Sequence, residues 1–272
     1  MLHQLNERTN NETSSYVLAT TVLKAFHMLE YIAAHQPVSP SSISKGLELT
    51  RANVHRLLAT LVSAGYVEKW EQGYGLTFKL FQLASTVPLN KSLRDVAKPA
   101  MNELEQIAHE NIYLNVLSED MVLAIDEVKS AHHVILNPDV TYSYPVNSCA
   151  SGKLLLSHYS DEQLRGYLSE IPMRERTSRT ILEREEFIRA VRSAQGKGYS
   201  TEILEFSDDL NSVAAPIIDV EGTVIATISI SGPSMRLTEA RIMDLVQPLM
   251  QAARRITERV AENTRSSFRP SR

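Results

Sequence analysis

Apolar residues recur at helical spacing through the first third of the chain and then switch to alternation. Val22, Leu23, Phe26, Leu29 and Ile32-Ala33 return at threes and fours, which predicts a helix from Val17 to about Ala34. Ser39 then precedes Pro40, a residue suited to the first position of a helix, and Ile43, Leu47 and Leu49 supply the buried side of a second, shorter one. The turn Gly46-Leu47-Glu48-Leu49 leads to Thr50, whose hydroxyl can accept from the free N–H groups of a third helix. There Val54, Leu57, Leu58 and Leu61 make one apolar face, while Arg51, Ala52, His55, Arg56 and Ala59 lie largely off it. Gly65 offers the left-handed position at which such a helix stops. Residues 66–70 alternate, Glu71-Gln72-Gly73 signals a turn, and residues 74–78 alternate again, as in a β-hairpin. Two helices across a tight turn followed by a hairpin predict a winged helix-turn-helix over residues 16–80, behind a disordered arm at 1–15.

Residues 85–91 are the weakest in pattern and are read as a linker. Beyond them Leu93, Val96, Ala97, Ala100, Met101, Leu104, Ile107 and Ala108 extend one helical series, so that 81–110 holds a linker and a connecting helix. Pro99 inside it predicts a kink, or a helix that starts near Lys98. From Asn111 strand-like and helix-like segments alternate. Strands are expected at 112–117, 121–125, 132–136, 199–203, 213–219 and 224–231, with helices at 150–159, 161–169, 185–196 and 238–263. Strands at both ends with helices between indicate an α+β domain over 111–265, mainly an antiparallel sheet, followed by a tail at 266–272.

Composition narrows the reading. A chain of 272 residues with 43% hydrophobic residues suits two ordinary soluble domains, and no apolar run approaches the ~20 residues of a membrane span. The N-terminus lacks an apolar signal core, and the single cysteine, Cys149, cannot form an intramolecular disulfide; both fit a cytoplasmic protein. Net charge is -4, but the first 80 residues hold 7 Lys+Arg against 6 Asp+Glu. DNA binding by that part therefore rests on a few placed cations, which a second copy would double. The candidate contacts are Ser41 and Lys45, then Thr50, Arg51, Ala52, Asn53, His55 and Arg56, with Lys69 and Tyr74 from the wing.

Two stretches of the second domain resemble site chemistry. In Ser148-Cys149-Ala150-Ser151-Gly152-Lys153, Ser148 is a candidate helix cap, and the small residues after it would leave first-turn N–H groups open to an anion. It is no P-loop, because Asn147 and Leu154 stand where that motif needs Gly and Ser/Thr. Close packing of small residues explains the stretch as well. In residues 226–232 alternation puts Thr227, Ser229 and Ser231 on one face and Ile228 with Ile230 on the other. Such a hydroxyl row can donate to a carboxylate or be the wet side of a sheet. Catalysis is weakly supported: Cys149 with His132 or His133 has no orienting third group, and neighbouring strand histidines cannot share a metal. No metal or cofactor is expected. The alternative function is a small-molecule enzyme or sensor whose N-terminal helices mediate protein contacts.

The two halves together resemble the IclR family of bacterial transcriptional regulators, from Val17 to Val260. Residues 50–58 with Gly65-Tyr66-Val67, then 149–153, and above all 198–202, 211–217 and 228–233 carry the resemblance. It implies a winged helix, a connecting helix and a GAF-like effector domain, acting as a homodimer or dimer of dimers on palindromic double-stranded DNA. It also implies a pocket for a small acid effector formed by Ser148, Cys149, Ala150, Ser151, Gly152, Glu202, Ser212, Ser229 and Ser231. Some relatives carry Cys where this chain has Ser212. Glu202 beside an anion must meet a ligand hydroxyl or be protonated, which points to a sugar acid or 2-keto acid.

Overall fold

The computed structural model describes residues 18–85, 88–130 and 143–267. The arm at 1–15, the strand expected at 132–136 with its two histidines, and residues 268–272 of the tail lie outside them. The chain divides between Val87 and Pro88 into two units.

In the first unit, α1 (Thr20–His35), α2 (Pro40–Gly46) and α3 (Arg51–Ser63) are followed by a hairpin of β1 (Val67–Trp70) and β2 (Gly73–Leu76). Ser39 and Thr50 cap α2 and α3, accepting from the N–H groups of Ser42 and Asn53 at 3.2 and 3.3 Å. Met28, Ile32, Ile43, Val54, Leu57, Leu58 and Leu61 meet in one core. Gly65 stops the helix with φ 78°. Within the turn between α2 and α3 the left-handed residue is Glu48, at φ 53°, rather than a glycine. Ser44 makes that conformation tenable: its Oγ donates to the Leu49 carbonyl at 2.6 Å, and its own carbonyl accepts from the Leu49 N–H at 3.1 Å. The second half of the expected hairpin is corrected, because β2 ends at Leu76 and Phe78 opens a further helix, α4 (Phe78–Ser85). The alternation over 74–78 runs two residues too far because Thr77 turns the chain, its hydroxyl donating to the Gly65 carbonyl at 2.6 Å.

The second unit begins with α5 (Pro88–Ala108), one helix that carries Pro99 inside it. Its sheet comprises β3 (Asn111–Ser118), β4 (Met121–Val128), β5 (Ser143–Pro145), β6 (Ser200–Ile203), β7 (Leu210–Ile218) and β8 (Val224–Pro233). The order is β5-β4-β3-β8-β7-β6, antiparallel throughout. Between β5 and β6 the chain forms a 3-10 turn (Val146–Ser148), α6 (Ala150–Leu155), α7 (Asp161–Glu170) and α8 (Arg184–Lys197), and α9 (Glu239–Ser267) follows β8. The α+β architecture read from the alternation of patterns is therefore present.

Strand parity positions the site. Ile112 and Leu114 of β3, Val213, Ala215 and Ile217 of β7, and Ala226, Ile228 and Ile230 of β8 pack in one core with α5 and α9. Their alternating neighbours Tyr113, Asn115, Ser212, Ala214, Thr227, Ser229 and Ser231 face the other way. On that side Ala150 and Leu154 of α6 pack with Ala194 of α8 and Ala214. The hydroxyl row of β8 thus lies under helices and inside the domain: Thr227 and Ser229 are buried.

Candidate functional site

The DNA-facing candidates are presented by α3. With its four apolar residues turned into the core, Arg51, Ala52, His55 and Arg56 are exposed and Asn53 is half-buried. Arg56 Nη2 donates to Asn53 Oδ1 at 3.2 Å, so the guanidinium is tied to the first turn of the helix. Lys45 is exposed in the last turn of α2, whereas Ser41 shares a hydrogen bond of 2.8 Å with the capping Ser39. On the wing, Lys69 is exposed between the exposed Glu68 and Glu71, which leaves the hairpin without a positive excess. Tyr74 is half-buried against the core, and its backbone exchanges two hydrogen bonds with Val38, of 2.9 and 3.1 Å. That residue holds the wing to the domain.

The second unit contains a small cavity of about 40 Å³. Of the residues expected there, Cys149, Ala150, Ser151, Glu202, Ser212, Ser229 and Ser231 line it together. Ser148 and Gly152 do not. Ser148 is corrected in its local role as well: the N-cap of α6 is Cys149, and the Ser148 hydroxyl donates instead to the Pro145 carbonyl at 3.1 Å. Gly152 is a packing residue, since a Cβ there would overlap the Val146 carbonyl. The walls also contain residues that sequence reasoning missed. Tyr144 and Phe206 meet edge-on with ring centroids 5.2 Å apart, Val122 and Leu210 add apolar surface, and Tyr113 and Asn115 come from β3. Alternation along β3 was the available signal for Tyr113 and Asn115; nothing local marked Phe206, which lies in a loop.

Glu202 is wholly buried in this wall, at 0% exposure. Its Oε1 accepts from the backbone N–H groups of Glu205 and Phe206 at 2.7 and 3.1 Å, and Oε2 accepts from the Ser212 hydroxyl at 3.0 Å. Burial pushes its carboxyl up to about 7 against the pull of those three donors. Lys153 does not line the cavity: its Nζ donates to the Thr201 carbonyl at 2.8 Å and to Glu205 Oε1 at 2.6 Å. Among the described residues no Lys or Arg lines the cavity, so its polar groups are neutral donors plus one carboxyl. The Cys149 thiol is pushed up to about 12 by burial and so stays protonated, the wrong state for a nucleophile. Among the described residues no three His, Cys, Asp or Glu are grouped to hold a metal, and no helix is long and apolar enough to cross a membrane.

A winged helix-turn-helix with an exposed polar helix face, followed by a domain that encloses a small cavity with hydroxyls and one carboxyl in its wall, is the layout of an effector-responsive DNA-binding regulator. Comparison with known proteins agrees. Residues 21–70 match the IclR helix-turn-helix domain and residues 87–258 the C-terminal domain of bacterial IclR transcriptional regulators. The chain belongs to the IclR family. It is 30% identical over 240 residues to the HTH-type transcriptional regulator KdgR of Escherichia coli K12, covering 88% of this chain and 91% of that protein. An IclR homolog from Microbacterium hydrocarbonoxydans, solved in complex with 4-hydroxybenzoate, is similar at a TM-score of 0.75 and 26% identity, over 88% of this chain and 98% of that one. Thermotoga maritima IclR shares the fold at a TM-score of 0.69 and 24% identity, over 89% of this chain and 99% of that one. The chain is thus a transcriptional regulator with an effector-binding C-terminal domain, and not an enzyme.

Proposed function

We propose that this regulator binds a palindromic operator in the cytoplasm as a homodimer or dimer of dimers, and that a small carboxylic acid entering the cavity changes its operator affinity. The observation that carries the effector class is the set of hydroxyls on α6, β7 and β8, enclosed with a single carboxyl and no lining cation among the described residues. A sugar acid or a 2-keto acid fits that chemistry, and the relative solved with 4-hydroxybenzoate also holds an acid. An effector acts only through its difference in affinity for the two arrangements of the regulator. Pairing of subunits is supported by the exposed Val22, Leu23 and Phe26 of α1 and Phe78 and Phe81 of α4, apolar surface that a lone winged helix would leave in water. It is also supported by the scarcity of cations on the DNA-binding unit.

Arg51 and Arg56 are assigned to the DNA. Arg51→Ala and Arg56→Ala are each expected to weaken specific binding by about 1–3 kcal/mol where a bidentate base contact is lost. Gel-shift titration at several salt concentrations checks this, because lost phosphate contacts also flatten the salt dependence. Unchanged operator affinity in both variants would refute the assignment of α3. For the cavity, a thermal-shift screen of the full chain against sugar acids, keto acids and aromatic acids should return stabilising ligands. The double variant Ser229→Ala, Ser231→Ala should lose that response and keep its DNA binding.

A further inference from the structure

The hydroxyls of the cavity are ambiguous by themselves, since serine both donates and accepts. One side chain removes the ambiguity. Asn115 Nδ2 lies 3.1 Å from Ser151 Oγ and 3.0 Å from Ser229 Oγ, and 3.5 Å from the Tyr113 carbonyl. A carbonyl can only accept, so the atom facing it is the amide nitrogen and not the oxygen. That nitrogen shares two protons among the three oxygens and has no lone pair to offer either serine hydroxyl. Each serine oxygen is then an acceptor toward Asn115 and must direct its own proton elsewhere. No hydrogen bond among the described residues takes up either proton, and both serines line the cavity.

Glu202, also in the lining, has the reverse polarity. Glu202 Oε1 is occupied by two backbone N–H groups, whereas Oε2 holds only the Ser212 hydroxyl and keeps a lone pair. We propose that Asn115 is a positioning residue that sets which way round the ligand binds, and thereby its class: it turns the hydroxyl protons of Ser151 and Ser229 onto the ligand's carboxylate, leaving the ligand's hydroxyl to donate to Glu202 Oε2. The effector is then a hydroxy acid rather than a plain or 2-keto acid. This rests on the acid-effector reading above and narrows it.

The test is calorimetry on the full chain with matched probes: 4-hydroxybenzoate against benzoate, and glycerate against pyruvate and propionate. The hydroxy acid of at least one set should bind about tenfold or more tighter than its hydroxyl-free partners, because the latter leave the second lone pair of the buried Glu202 Oε2 unfilled. Glu202→Gln keeps an amide oxygen on the Glu205 and Phe206 N–H groups but removes the charge beside the ligand's carboxylate; the hydroxyl-free acids should gain affinity and the ratio should narrow. Asn115→Asp keeps the shape but draws both serine protons to itself; acids should lose about tenfold or more, and benzamidine, a donor, should gain binding. A merely structural asparagine would not produce that inversion. Ser151→Ala and Ser229→Ala serve as the second probe should Asn115→Asp not fold: each should weaken both members of a matched pair alike. Hydroxyl-free acids binding as tightly as hydroxy acids would overturn this proposal and leave the acid-effector reading standing, as would unchanged acid affinity in Asn115→Asp or in both serine variants. Failure of every acid to bind the parent chain would overturn both.

Discussion

Gly152→Ala is expected to destabilise the protein by about 3 kcal/mol and to abolish effector binding, as an overpacking change against backbone rather than against a movable side chain. A Cβ at Gly152 would overlap the Val146 carbonyl oxygen and approach the Val146 carbonyl carbon to 2.8 Å. The 3-10 turn that carries Val146 cannot retreat easily. Its Val146 N–H donates to the Asp120 carbonyl at 3.3 Å, and the Asn147 amide donates to the carbonyls of Arg174 and Ile181 at 3.1 and 2.9 Å. The start of α6 must therefore move, and it takes Cys149, Ala150 and Ser151 out of the cavity wall. Gly166 of α7 is the matching control: a Cβ there meets nothing within 4 Å, so Gly166→Ala should stabilise by about 0.4–1 kcal/mol. Urea unfolding of both variants with titration of a bound acid separates these outcomes. A Gly152→Ala protein as stable as its parent would show that the turn yields.

How far the sequence disclosed the molecule depends on whether a feature is local. The apolar face of α3, its Thr50 cap and the left-handed Gly65 are set within one segment, and the structure reproduces them. The inward row of β8 was legible for the same reason, because strand parity assigns faces without any partner. Whether that row met water or protein was not legible, since it depends on α6 and α8 packing over the sheet. The short β5 escaped notice because three residues carry too little pattern, and Phe78 was misplaced because its strand-like spacing is overridden by the Thr77 bond to Gly65.

The site follows the same division. Glu202 and Ser212 rest on the resemblance alone, Ser229 and Ser231 on strand alternation as well, and the four stand together in one cavity. Ser148 had the composition of a cap, but the cap position falls one residue later, at Cys149, and a hydroxyl in the preceding turn finds the Pro145 carbonyl first. Alternation places Asn115 on the inward face of β3, but its importance arises from two serines 36 and 114 residues away in the chain. No motif encodes such a meeting; only the register of β3 on β8 with α6 above brings it about.

Glu202→Gln should alter the pH dependence of stability, by as much as roughly 3 kcal/mol between acid and alkaline conditions. The carboxyl is raised from 4.5 to about 7, chiefly by burial, with the nearby Glu205 carboxylate adding to the rise. Below about pH 4.5 the folded and unfolded chains both hold the proton, and the group contributes no difference. Between 4.5 and 7 the unfolded chain releases it while the folded chain retains it, so stability falls as pH rises, and above about 7 the full loss is reached. The glutamine variant removes the titration but keeps the bonding: its oxygen accepts from Glu205 and Phe206, and its amide donates to the Ser212 oxygen. Lys153 and Glu205 remain in both proteins, and the Cys149 thiol at about 12 stays protonated across the range. Subtracting the two urea-derived stability curves from pH 4 to pH 9 therefore isolates Glu202. The parent should lose ground to the variant through that window; parallel curves would mean that water or a rearranged Ser212 keeps the carboxyl near its ordinary value.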